Sequence, residues 1–385
     1  MSEETVSPCL EVTRTVADSG GKDMHKCMQC GLCAGLCPWR SVESPFSLRQ
    51  VVHQLQLGVE GFESDDILFG CTQCRMCENN CPRGVATSAV VRAARAVLYQ
   101  SGALPRTVSA ALGNVRVEGN PMSGNRDARL DWTKKLDQPL AVEGDTAMFS
   151  CCVSSFDPRG QKSHRALTDV LRAVEPKISG FGPELSCCGG TLRAVGADDL
   201  FSELSEANRK VFEARGLKTL VVDSPHVYDS LLHDYFGEDQ PPPFQIKHYT
   251  EFLAERLASG TLQMKTPFPK KVTYHDPCYL GKINNVFEPP RQLLRAVPGL
   301  ELVEMPRNRF ESLCCGGGGG RMWMETPADR RFGVLRVKEA LATGAEVIAT
   351  SCPYCVSMFE DGRIVLEAEE KIQVMDLSEI VRAAL

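Results

Sequence analysis

The sequence predicts an α+β multidomain protein, with a helical N-terminal domain followed by two pseudo-symmetric α/β domains. Three observations carry this. Two cysteine blocks of identical spacing open the chain, each followed by a segment with helical periodicity. Beyond about residue 141 short apolar strands alternate with amphipathic helices, and that part of the chain repeats itself within one residue of a shift of 127. The expected boundaries are 1–105 for the helical domain, 106–140 for a linker, 141–262 for the first α/β copy and 263–385 for the second.

The chain has 385 residues and a formal charge of −6, with basic residues scattered instead of gathered in a stripe, which argues against a nucleic-acid partner. No run approaches the roughly 18 apolar residues of a membrane span, and "MSEETVSPCLE" has neither the basic nor the apolar part of a signal peptide, so a cytoplasmic protein without direct membrane insertion is expected. Eighteen cysteines in a reducing compartment point to metal or catalysis before disulfides.

The first block, "CMQCGLCAGLCP", contains Cys27, Cys30, Cys33 and Cys37 before Pro38. The second, "CTQCRMCENNCP", contains Cys71, Cys74, Cys77 and Cys81 before Pro82. Both read C-x2-C-x2-C-x3-C-P, the spacing that wraps three thiolates around one 4Fe-4S cube and sends the fourth to its neighbour. Cys27, Cys30, Cys33 and Cys81 are therefore assigned to one cubane cluster, and Cys71, Cys74, Cys77 and Cys37 to the other. Paired zinc sites are the rival, but four ligands per zinc give no use for the interleaving or the trailing prolines. Between and after the blocks, "SPFSLRQVVHQLQLG" and "ATSAVVRAARAVLYQSG" place apolar residues at helical intervals, which predicts a helical ferredoxin-like domain.

Residues 113–138 are polar, weakly periodic and rich in Gly and Asn, and read as linker. After them, "TLVVDS" and "EVIATS" read as strands and "ADRRFGVLRVKEALATG" as a helix. The repeat superposes Cys187-Cys188-Gly189-Gly190 on Cys314-Cys315-Gly316-Gly317, Cys152 on Cys278, "VVDSPHV" on "IATSCPYC" and "IKHYTEFL" on "VMDLSEIV". The copies differ in ligands. The second has Cys278, Cys314, Cys315, Cys352 and Cys355; the first has Ser224, Pro225, His226 and Val227 where the last C-x2-C would fall. A redox dithiol is the rival for "CPYC", but only about thirty residues follow it, too few to complete a thioredoxin-type fold.

These residues resemble the cysteine-rich CCG family of heterodisulfide reductases and of the iron-sulfur subunits of glycolate, lactate and anaerobic glycerol-3-phosphate dehydrogenases. "CPRGV" and "HDPCYLG" are similar to the heterodisulfide reductase branch, in which a ferredoxin domain and two CCG domains are fused in this order. The resemblance covers nearly the whole chain. It implies a noncubane 4Fe-4S cluster on Cys278, Cys314, Cys315, Cys352 and Cys355, with Cys314 and Cys315 as the catalytic pair. Glycines beside that pair would let the backbone approach the cluster and offer N–H groups to sulfide. In the family two facing noncubane clusters cleave the heterodisulfide, so the degenerate first copy favours an electron relay; Cys152, Cys187 and Cys188 could hold a cubane or altered centre.

The function expected is an iron-sulfur electron-transfer subunit of a larger anaerobic oxidoreductase complex. The alternatives are a subunit that itself reduces a disulfide or thiol compound, and the iron-sulfur subunit of a glycolate, lactate or glycerol-3-phosphate dehydrogenase-type complex. "GGGGGR" lacks the context of a dinucleotide-binding turn, so hydride chemistry belongs on another chain. The resemblance implies a flavoprotein of the heterodisulfide reductase flavin-subunit type, with hydrogenase, formate dehydrogenase or electron-transfer flavoprotein modules, or a benzoyl-CoA reductase-like complex. His275 is a candidate for tuning or protonating the site, and Lys282 and Arg321 for balancing an anionic cluster. Met322 and Trp323 read as core packing, and Cys9 and Cys151 find no assignment.

Overall fold

A computed structural model describes residues 8–44, 46–59, 67–141, 143–236 and 241–385. The chain divides into two compact units. One is Met1–Ala110 with Thr191–Phe201 and Gly317–Arg331; the other is Ala111–Gly190 with Ser202–Gly316 and Phe332–Leu385.

The first unit is helical. Short helices α1 (Leu10–Val16), α2 (Leu32–Leu36) and α4 (Met76–Asn79) accompany two longer ones, α3 (Leu48–Leu57) and α5 (Thr87–Gln100). Helix α3 buries Leu48, Val51, Val52 and Leu55, the one-sided stripe that its periodicity predicts. It stops at Gly58, whose φ of 61° lies in the left-handed region. Helix α5 buries Val90, Val91, Ala94 and Leu98 on one face, and on that same face Arg95. The segments 191–201 and 317–331 fold with this unit, although the sheets on either side of them in sequence belong to the other.

The second unit begins at Ala111, inside what the sequence offered as linker. Residues 106–118 form helix α6 (Arg106–Glu118), and Arg126–Lys135 forms a 3-10 stretch capped by Asn125. Arg129 and Trp132 of that stretch are buried, and Trp132 meets the His164 ring edge-on at 4.3 Å. Two large side chains spaced within one turn are enough to pin a polar segment that lacks a continuous apolar stripe.

Two parallel four-stranded sheets follow. The first has β1 (Thr146–Phe149), β2 (Ser179–Gly180), β3 (Thr219–Val222) and β4 (Gln245–His248) in the order β2-β1-β3-β4. The second has β5 (Lys271–Tyr274), β6 (Glu301–Val303), β7 (Val347–Thr350) and β8 (Gln373–Asp376) in the corresponding order β6-β5-β7-β8. The inner strands are buried along their length, as parallel strands covered on both faces must be. Around them run α7 (Cys152–Phe156), α8 (Pro158–Val174), α10 (Asp198–Arg215), α11 (Pro225–His233), α12 (Tyr249–Ala258), α13 (Glu288–Arg295), α14 (Phe332–Ala342), α15 (Pro353–Val365) and α16 (Leu377–Ala384), while α9 (Gly190–Val195) lies in the stretch that folds with the first unit.

The shared strand order is the structural form of the repeat. The copies also share one hydrophobic core, in which Leu167, Tyr249 and Phe252 of the first meet Val272, Leu293 and Leu377 of the second. Among the described residues no helix is long and apolar enough to cross a membrane.

Candidate metal centres

The N-terminal cysteine blocks build two loops with one backbone shape. In the first, Gln29 and Gly31 have φ of 60° and 85°; in the second, Gln73 and Arg75 both have 55°. Left-handed backbone at a non-glycine residue costs about 1 kcal/mol or more, so its recurrence at matched positions needs a cause. Here it turns amides inward. The Gln29 N–H donates to Cys27 Sγ at 3.5 Å, the Gln73 N–H to Cys71 Sγ at 3.4 Å and the Val85 N–H to Cys81 Sγ at 3.4 Å.

Each loop faces a cavity of about 420 Å³, counting its open mouth. Cys27, Cys30, Cys33 and Cys81 line one, with Cys77 at its edge; Cys37, Cys71, Cys74 and Cys77 line the other. The fourth cysteine of each block thus lines the other block's cavity. Burial first, then the neighbouring Cys27, raises the Cys33 thiol above its ordinary range. Cys77 is pushed well up by burial and then by Cys71 and Cys74, with Cys37 adding to the effect, while the Thr87 hydroxyl at 3.1 Å opposes it. Four thiols, inward amides and a pocket of this size suit a 4Fe-4S cube. Among the described residues no three His, Cys, Asp or Glu side chains converge as ligands of a single metal ion.

The third cysteine set sits at the switch point of the second sheet. Between adjacent parallel strands β5 and β7 the chain reverses its direction of travel across the sheet, and the carboxyl ends of such strands form a crevice. Cys278 follows β5, while Cys352 caps α15 directly after β7 and Cys355 lies in the first turn of that helix. Cys314 and Cys315 come from the loop after β6. All five are buried. Burial, followed by hydrogen bonds to Cys315 and Cys352, drives the Cys355 thiol well above its usual range. Cys352 and Cys355 are therefore packed with Cys315 and are not an isolated dithiol. Gly316 has φ of 99° and points its N–H at Cys314 Sγ, 3.3 Å away.

The polar candidates around this set have other occupations. His275 is buried edge-on against Phe359 at 4.7 Å and accepts from Arg336 Nε at 3.1 Å on Nδ1. Burial, then the charges of Arg336 and Lys282, hold its pKa well below the ordinary value, so the ring is neutral. Lys282 is buried and donates to the Ser312 carbonyl. Arg321 lies over the Trp39 ring at 5.4 Å and also binds Thr326. Met322 and Trp323 are half-buried. Cys9 hydrogen-bonds through its backbone to Gly58 and lines neither cavity.

The first copy keeps half of this arrangement. Cys152 follows β1, Gly189 has φ of 80° and its N–H meets Cys187 Sγ at 3.4 Å, the counterpart of Gly316 on Cys314. After β3, Ser224 stands at the cap of α11 where Cys352 caps α15, and Val227 stands where Cys355 would. The three remaining thiols touch. A hydrogen bond from Cys187, followed by burial, drives Cys152 well up, opposed by Arg129. The bond with Cys152 lowers Cys187, but its bond with Cys188 and burial carry it up to about 12.

Sequence reasoning missed the surroundings of this trio. Arg129 donates to the Ser150 carbonyl at 3.0 Å, and Asn208 joins the Cys187 carbonyl to the Tyr235 hydroxyl, at 2.9 Å each. Ser150 Oγ lies 2.7 Å from His164 Nε2, and His164 Nδ1 lies 3.1 Å from Asp223 Oδ2. His226, in the place of Tyr354 by the repeat, stacks between Tyr279 and Tyr354 with ring centroids 4.0 and 4.5 Å away.

The sequence pattern of the 4Fe-4S dicluster domain matches residues 23–85, and that of the CCG cysteine-rich domain matches residues 146–227 and 272–360. The probable iron-sulfur-binding oxidoreductase FadF of Bacillus subtilis is 33% identical over 83% of this chain and 46% of its own length. The EtfAB:quinone oxidoreductase of Syntrophomonas wolfei is 31% identical over 83% of this chain and 47% of its own. The chain thus spans about half the length of these two relatives. With a subunit of the dihydromethanophenazine:CoB--CoM heterodisulfide reductase of Methanosarcina barkeri the identity is 29%, over 94% of each chain.

Proposed function

We propose that this chain, a member of the iron-sulfur oxidoreductases that pair a 4Fe-4S dicluster domain with two CCG domains, is the electron-transfer subunit of a larger, heterodisulfide reductase-like redox complex. The observation that carries the reading is the presence on one chain of two interleaved thiol cavities and a five-cysteine set at a sheet switch point. In this proposal Cys27, Cys30, Cys33 and Cys81 hold one cubane cluster and Cys71, Cys74, Cys77 and Cys37 the other. Cys278, Cys314, Cys315, Cys352 and Cys355 hold a noncubane 4Fe-4S centre. When bound, such clusters exchange single electrons.

The chain's own part is to supply thiolates, to donate N–H groups to sulfur and to exclude water. Gln29, Gln73, Val85 and Gly316 aim amides at Cys27, Cys71, Cys81 and Cys314. Burial of the five C-terminal cysteines keeps solvent from that centre. The domain division belonging to this reading is 1–105, 141–262 and 263–385. A flavoprotein subunit and further redox subunits supply and remove electrons, in a reducing, anaerobic cytoplasm that keeps the ligand thiols from pairing as disulfides.

A second reading, reduction of a disulfide or thiol compound at Cys314 and Cys315, is favoured by the likeness to the heterodisulfide reductase chain along nearly its full length. One experiment tests both. The chain is purified without oxygen, its iron and acid-labile sulfide are counted, and EPR spectra are taken of reduced and of thiol-treated, oxidised samples. About 12 irons per chain support three four-iron centres. A thiol-dependent signal in the oxidised sample favours the second reading, and about 8 irons with ferredoxin-type signals alone defeat the C-terminal centre.

A further inference from the structure

The helical unit contains a side chain that neither the cysteine pattern nor the family resemblance assigns. Arg95, on the apolar face of α5, is fully buried beside the Phe69 ring, with its guanidinium carbon 4.7 Å from the centroid. Its donors reach four backbone carbonyls. Nε and Nη2 bind the Leu68 oxygen at 3.2 and 2.6 Å, and Nη2 also binds the Cys71 oxygen at 2.6 Å. Nη1 binds the Ala194 oxygen at 2.9 Å and the Gly319 oxygen at 3.0 Å.

These carbonyls belong to three stretches far apart in sequence. Leu68 and Cys71 lead into the second cysteine block, Ala194 lies six residues after Cys188, and Gly319 lies four residues after Cys315. Two further observations tie the same stretches together. Gln73, inside the block, donates through Nε2 to the Ala194 oxygen at 3.1 Å. At Gly319, whose φ is 61°, a Cβ would stand 2.3 Å from the Cys71 oxygen and 3.0 Å from the Thr72 backbone. The Gly319 backbone therefore lies directly on the ligand loop, with no room for a side chain between them.

A buried guanidinium is costly unless its donors are used, and a rigid fork of five N–H groups is the side chain able to bridge several fixed carbonyls at once. We infer that Arg95 is a positioning residue which, with Gly319, clamps the chain leading from Cys315 onto the Cys71 loop. The clamp holds the Gly319 end of the segment that starts at Cys315, and this covalent segment would be the route for electrons from the second cubane site toward the C-terminal cysteine set. The inference rests on the proposed function and adds a route to it. It also gives the glycine run a second purpose: Gly316 serves the thiol beside it, while Gly319 serves the cysteine block.

The test compares the iron-loaded wild type with Arg95→Lys, which keeps the charge but cannot span four carbonyls, and with Gly319→Ala, which leaves Arg95 in place. Hydrogen exchange is followed at residues 317–323, and freeze-quenched EPR follows the arrival of electrons at the C-terminal centre after the cubanes are reduced. Both variants are expected to retain their iron and ferredoxin signals, to exchange faster at 317–323, and to deliver electrons to the C-terminal centre more slowly than the wild type. Unchanged exchange in both variants overturns the clamp. Faster exchange with an unchanged transfer rate overturns the route. A wild-type C-terminal centre that never accepts electrons defeats the proposed function instead, and exchange alone then decides the clamp.

Discussion

The two CCG copies share a sheet order and a glycine with left-handed φ whose amide meets a cysteine sulfur, yet they diverge after one strand. After β7 the helix opens with Cys352 and Cys355; after β3 it opens with Ser224 and Val227. The scaffold is repeated while the ligand set is not. Around its three thiols the first copy carries Arg129, Tyr235, Asn208 and the hydrogen-bonded Ser150–His164 pair, with Asp223 Oδ2 3.1 Å from His164 Nδ1. A switch-point crevice is a property of the fold, whereas what it holds is decided by four or five side chains.

The comparison is broken most directly by removing one thiol from each copy. Cys355→Ser is expected to cost the second copy its centre, a loss of about four irons per chain. Cys188→Ser is expected to leave the iron count of the purified protein unchanged. Equal losses from both would show that the first copy also carries a cluster, and the asymmetry argued above would fall.

The next largest effect is expected at Arg129. Arg129→Met removes a buried cation that touches Cys152 and holds the Ser150 carbonyl. Leaving the buried Ser150 carbonyl without its donor costs about 1–3 kcal/mol, so the unfolding free energy from urea titration should fall by about that much. Loss of that cation should also make Cys152 harder to alkylate at a given pH, which mass spectrometry of the labelled protein reads. An unchanged midpoint with unchanged labelling would detach Arg129 from the thiol set.

Alkaline pH sharpens the comparison further. Unfolded thiols ionise near 8.5, while Cys187 in the folded protein is carried up to about 12. Below the lower value both states hold the proton and the contribution to stability is complete. Between the two values only the unfolded chain releases it, and stability falls by about 1.4 kcal/mol per pH unit for each such thiol. Cluster-free protein should show this slope from both copies; on the proposed ligand assignment the second copy's thiols in iron-loaded protein are already thiolates, and the remaining slope should shrink with Cys187→Ala. Equal slopes for loaded and cluster-free protein would contradict it.

The cysteine sites were legible in the sequence because ligand spacing is local: Cys27 to Cys37 and Cys71 to Cys81 lie within single turns and loops, and the repeat exposed the rest. Helices α3 and α5 were legible for the same reason, as one-sided apolar stripes. Arg95 was not, since its partners lie up to 224 residues away, although an arginine set on the stripe of Val91 and Leu98 was a signal open to reading. The segment 106–140 looked like linker because its order depends on Arg129 and Trp132 finding pockets built by later strands. Nor could spacing show that 191–201 and 317–331 pack with the cysteine blocks, since that grouping follows from contacts such as Gln73 to Ala194 and Arg95 to Gly319.

The smallest effect separates the copies at a pair of helix caps. His248 caps α12 and Asp376 caps α16, each with a capping box, so one structural position is filled by different chemistry. Asp376 accepts from the Tyr249 hydroxyl at 2.9 Å and from Ser378, and burial raises its pKa to about 7. An acid raised in the folded state takes up a proton on folding. Its contribution is complete below the unfolded value near 4 and is lost as pH rises toward 7. Asp376→Asn keeps an acceptor for the cap and for Tyr249, so at pH 4 it should change stability by less than about 1 kcal/mol. Between pH 4 and 7 the wild type should lose stability relative to the variant, a difference that thermal melts at the two ends of the window would measure. If the two melt in parallel across it, Asp376 is ionised throughout, and the buried cap of the second copy is an anion held by Tyr249 and Ser378.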